Sequence, residues 1–192
     1  MATFDKYYFV SLLNSDNEYI EMDKDMTFWM KHDTEYKLEI RNNHPTRRCR
    51  ATVYIDGKSI GKFLVYGNNN IVIERPSDDN KARKLTFYDV SSREGEMGGL
   101  NASSPDIGKL RVEIQREKPP MLGRLAVDSM IDTVDCHRSR GLRCETDGIG
   151  GTALGKKSSQ KFYTVCDIDA EPQVYTFNAM MKLVKDQPVV PL

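Results

Sequence analysis

The sequence predicts an all-β protein, a single jelly-roll β-sandwich with an irregular insertion. Three observations carry that expectation. Apolar and polar residues alternate along Arg50 to Tyr88, the period of strands with one face buried. Turn residues break this block into short runs, at Asp56-Gly57 and at Gly67-Asn68-Asn69-Asn70. No long helical periodicity competes with them. Many short strands separated by such turns read as a sandwich or barrel. The final strands must pair with early ones far away in sequence, which favours a jelly roll over a simple meander.

Taken in order, Tyr7 to Leu13, Tyr19 to Met22 and Met26 to Met30 are short and apolar-rich. Tyr36 to Arg41 alternates, with Leu38 and Ile40 on one face and Lys37, Glu39 and Arg41 on the other. Asn42-Asn43-His44-Pro45 ends it, because proline lacks the amide a ladder needs. Within the central block the runs are Ala51 to Ile55, Ile60 to Tyr66, Ile71 to Glu74 and Leu85 to Tyr88. Asp56-Gly57 suits a type I′ hairpin turn, in which both central residues take positive φ. Ser91 to Gly108 reads as a loop, and Lys109 to Gln115 as a strand with Leu110, Val112 and Ile114 facing inward.

Pro119-Pro120 breaks the pattern. Strand character returns at Lys161 to Ile168 and Gln173 to Val184. The predicted organisation is therefore a sandwich over 1–118 and 160–187, an insertion over 119–159, and an extended apolar tail over 188–192.

The chain has 192 residues with 28 basic and 28 acidic side chains, so its net charge is zero. That balance gives no global attraction to nucleic acid or anionic membrane. Arg47-Arg48-Cys49-Arg50 is locally basic and reads as a solvated loop. No apolar run is long enough for a membrane-spanning helix. No secretory signal is read at the N-terminus, so the four cysteines are expected to be reduced.

Candidate chemistry is sparse. His32, His44 and His137 follow no metal-ligand spacing, and Cys136-His137 with Cys144 and Cys166 lacks the paired cysteines of structural zinc. Gly148-Ile149-Gly150-Gly151 follows no strand and lacks the lysine of a phosphate loop. Asp23, Asp25, Asp78, Asp79 and Asn68 to Asn70 are explained by turns rather than calcium. The aromatics lie mostly on strands and are expected in the core. No catalytic, cofactor-binding or metal residues are predicted, and the protein is not expected to be an enzyme.

One ordered pattern remains: Val53, Ile55, Asp56, Gly57, Ile60, Gly61 and Phe63, then Ile71, Ile73, Glu74, Arg75 and Pro76, then Leu85, Thr86 and Phe87. It resembles a jelly-roll family of large icosahedral double-stranded DNA viruses, in particular the penton proteins of chlorella-virus-type capsids. The likeness extends over about Tyr19 through Lys118. It implies a structural capsid protein of the virion, assembled in the host cytoplasm. The implied partners are four further copies in a pentameric ring, and the major and minor capsid proteins around it. It also makes Asp56, Gly57, Glu74, Arg75 and Pro76 structural motif residues. The alternative is a β-sandwich binding module for glycans or a protein partner.

Overall fold

The computed structural model describes residues 2–3, 6–119 and 149–184. Two antiparallel-dominated sheets pack face to face. The first is built from β1 (Ala2–Thr3), β2 (Tyr8–Asn14), β3 (Tyr19–Ile20), β5 (Thr34–Asn42), β8 (Asn69–Ile73), β9 (Arg83–Asp89) and β11 (Gly150–Lys157). The second runs in the order β4 (Thr27–Met30), β12 (Tyr175–Leu183), β10 (Lys109–Arg116), β6 (Cys49–Ile55), β7 (Lys58–Val65). The only described helix is one short turn, α1 (Arg93–Met97), capped by the Ser92 side chain accepting from the Gly95 amide.

Alternation explains the packing. Val10, Leu12, Leu38, Ile40, Ile73 and Phe87 of the first sheet are buried against Phe28, Ala51, Val53, Leu110, Val112, Ile114 and Phe177 of the second. Tyr36 is buried, and its hydroxyl shares a 2.6 Å hydrogen bond with Thr152 Oγ1 of the same sheet.

The all-β sandwich expected from the sequence is present. Its strand order adds detail that alternation does not encode. β2 pairs directly with β5, and β5 pairs with both β8 and β9. β12 pairs antiparallel with β10 and parallel with β4. Apart from β11, this is the Greek-key order of an immunoglobulin-type sandwich, with A, B and E in one sheet and G, F, C and C′ in the other. A jelly roll would instead place its last strand between its first and third.

Part of the insertion expected over 119–159 is a sheet strand, and residues 120–148 lie outside the described residues. Gly150–Lys157 is β11, paired along β9 from Gly150 opposite Asp89 to Lys157 opposite Arg83. Its glycines hid it. Gly150 lies flat over the Phe87 ring, where an added Cβ would come within 2.1 Å of Cζ. The strand expected over Lys161 to Ile168 is not formed. That segment joins no ladder; side-chain contacts near its two ends hold it instead. The tail 188–192 and Cys136, His137 and Cys144 lie outside the described residues.

The hairpin is as predicted. Asp56 has φ 51° and Gly57 φ 76°, both positive as a type I′ turn requires. A bulge between Val53 and Tyr54 shifts the register along β6 and β7.

Candidate interaction surface

β8 and β9 are two halves of one strand, since both run antiparallel to β5. The chain leaves at Glu74 and returns at Leu85, whose amide donates to the Glu74 carbonyl at 2.8 Å. Glu74-Arg75-Pro76 therefore sits at the break. Each residue there has a fastening role. The Glu74 carboxylate accepts from Ser158 Oγ at 2.9 Å, and its amide donates to Gln160 Oε1 at 2.9 Å. Arg75 Nε donates to the Gln160 carbonyl at 2.9 Å, and Nη1 to the Pro76 carbonyl at 3.1 Å. The Arg75 guanidinium lies 4.5 Å from the Phe162 ring centroid, and Phe162 meets Phe63 at 5.5 Å.

These contacts start a strap over 158–169. Its far end is held by Arg50 Nη1 to Asp167 Oδ2 at 2.6 Å, by buried Ile168, and by the Lys118 amide donating to the Asp169 carbonyl at 2.8 Å. Between its anchors the strap runs beside β7, the edge strand of the second sheet. A groove of about 730 Å³ lies between them, lined by Leu64, Tyr66, Ile71, Phe162, Tyr163 and Val165 among others. Tyr163 is 82% exposed, and Tyr66 and Val165 are each 54% exposed.

Reading the aromatics as core holds for Tyr8, Phe28, Tyr36, Phe87 and Phe177, but not for Tyr66 and Tyr163. The alternation of Phe63 and Val65 inward already placed Leu64 and Tyr66 outward. The strap's position was not encoded in any local pattern.

At the opposite end of β7, Asp56 ties the hairpin to both sheets. Its Oδ1 accepts from the Gly108 amide at 2.6 Å and its Oδ2 from the Thr152 amide at 2.6 Å. Burial pushes its carboxyl up to about 6 from 3.8, although the two amides and Lys58 pull the other way. The folded state thus holds this proton more tightly than the unfolded chain. The associated stability is fully present below about pH 4 and is lost as pH rises through about 6. Two pH units correspond to about 2–3 kcal/mol. Urea unfolding from pH 4 to 7 should show that decline in the wild type relative to Asp56→Asn. Equal pH profiles for the two proteins would contradict it.

Several other polar groups singled out in the sequence are engaged locally. Arg47 pairs with Glu171 at 2.6 Å, Arg48 chelates the Glu117 carboxylate, and Arg50 holds Asp167. The basic run is thereby neutralised where β6 begins. Asp23 accepts from the amides of Asp25 and Thr27 and from Trp29 Nε1, and Asp79 accepts from Arg83. His44 Nδ1 accepts from the Arg47 amide at 3.0 Å, and burial followed by Arg116 and Arg47 holds its pKa below the usual value. Cys49 is buried, which pushes its thiol up to about 12 and leaves it unreactive. Among the described residues, no three of His, Cys, Asp and Glu are grouped to hold a metal ion. Among them too, no helix is long and apolar enough to cross a membrane.

Comparison with protein-family models, with curated proteins and with solved structures finds no match.

Proposed function

We propose that this protein is a structural subunit of a large shell, working as a cyclic homo-oligomer rather than as an enzyme. The observation that carries this reading is where the motif residues lie. Asp56-Gly57 and Glu74-Arg75-Pro76 spend their polar groups fastening a turn, a broken strand and a strap. They leave no oriented nucleophile or ligand set, and their conspicuous product is a shaped, partly apolar edge. An edge of that kind suits contact with other protein surfaces.

The finer assignment is a penton of a large icosahedral double-stranded DNA virus, with five copies at a vertex and major and minor capsid proteins around them. Its support is the ordered resemblance in the hairpin, the Ile-Glu-Arg-Pro segment and the strand from Leu85 to Phe87 alone; the strand order, which differs from a jelly roll, adds nothing to it. Imaging of the native particle tests it. Five copies about a symmetry axis are expected, and isolated monomers away from any axis would overturn it.

A second reading as a binding module draws on the exposed Tyr66 and Tyr163 beside the groove. Aromatic platforms of this kind suit sugars or peptides. Specific retention on a glycan array, lost in Tyr163→Ala, would select it.

A further inference from the structure

We propose that the groove beside β7 is the seat for the Pro188–Leu192 segment of a second copy of this chain, an inference that rests on the assembly reading and specifies its contact. Three large apolar side chains, Tyr66, Tyr163 and Val165, are more than half exposed around one groove. Residues 188–192 read Pro-Val-Val-Pro-Leu. Two prolines at this spacing favour the polyproline II conformation, which costs little entropy to order and docks on aromatic-lined grooves. Neither proline has an amide hydrogen, so the segment is a poor ladder partner for the β7 edge. Packing of its rings on aromatic faces is the mode that suits it. Lys62 and Lys161 line the groove, while Lys185-Asp186 before the segment is neutral, so apolar packing rather than charge carries the fit.

The donor is a second copy because the chain's own segment cannot reach. β12 lies three strands from β7 in the second sheet, about 14 Å across at ordinary strand spacing. Met180 is opposite Lys109, Leu110 opposite Ile55, and Ile55 opposite Lys58. The exit of β12 is therefore level with the start of β7 or beyond it. Leu64 and Tyr66 lie further down that strand, about 20–26 Å away at the usual rise. From Val184 to Pro188 the chain spans at most about 14 Å. The exit of β12 and the seat thus lie on different flanks of the subunit. Their contact is head-to-tail, the kind that closes rings or extends filaments.

The test uses the full chain, a labelled peptide of residues 185–192, and two variants. Sedimentation velocity should show the full chain associating with rising concentration, and excess peptide should dissociate it. The same peptide with both prolines replaced by alanine should be at least about tenfold weaker, since it loses the preformed conformation. A chain lacking 188–192 and a Tyr163→Ala chain should each be monomeric alone. Mixed, they should form a one-to-one pair, because one supplies the groove and the other the tail. Tyr163 is 82% exposed, so its circular dichroism spectrum should match the wild type. Association unaffected by removing 188–192 would overturn the proposal while leaving a shell role standing. A full chain that is monomeric at every concentration would overturn it as well. Preferential binding of a foreign proline-rich peptide would overturn it in favour of a binding module. Peptide-sensitive association that grows without closing would support this contact and remove only the ring.

Discussion

Phe87→Ala is expected to destabilise the sandwich by about 3–5 kcal/mol, the range for deleting a fully buried aromatic ring. Phe87 is inaccessible to solvent and sits in β9 between Thr34 of β5 and Thr152 of β11. The ring packs directly against Gly150, with no room for a methyl group at that position. Gly150→Ala alone should therefore cost about 1–3 kcal/mol through overpacking. Combining Gly150→Ala with Phe87→Ala should cost less than the sum, because the new methyl enters the space the ring vacated. Urea unfolding of the four proteins measures the coupling. Strict additivity would mean that β11 does not lie against Phe87.

Gly57→Val should cost about 2–4 kcal/mol. Positive φ strains a β-branched residue by about 1–3 kcal/mol. The structure adds a second penalty, since a Cβ at Gly57 would lie 3.0 Å from both Cβ and Oδ2 of Asp106. Asp106 also pairs with Lys109 at 2.9 Å, which limits its retreat. Gly57→Asn tolerates positive φ better and should lose less. A melting temperature for Gly57→Val equal to that of the wild type would contradict the turn geometry.

Local order was legible where the chemistry was local. Asp-Gly specified its turn, and the alternation of Leu110, Val112 and Ile114 specified which face of β10 is buried. Proline at position 45 marked the end of β5. Pairing between distant strands was not legible, because alternation says which face is buried and not which neighbour shares the edge. β11 escaped notice for a related reason. Its Gly150, Gly151 and Gly155 are there to clear Phe87, Ile107 and Thr86, contacts made through space. The strap shows the converse. Lys161 to Ile168 has strand-like composition, yet the anchors at Gln160, Asp167 and Ile168 set its path. The partners of Glu74 and Arg75 at Ser158 and Gln160 could not be read from spacing.

The parallel pairing of β4 with β12 joins Thr27 to Met180 and Met30 to Leu183. Few contacts in the chain bridge a longer stretch of sequence, and closing so large a loop slows folding. During synthesis, the second sheet has no neighbour for β4 until residues up to Leu183 have left the ribosome. Nascent chains would thus expose the Phe28 and Met30 side of that strand for most of translation, a window in which chaperone capture or misassociation competes with folding. A chain truncated before β12 leaves β4 and β10 without the strand that joins them in the second sheet.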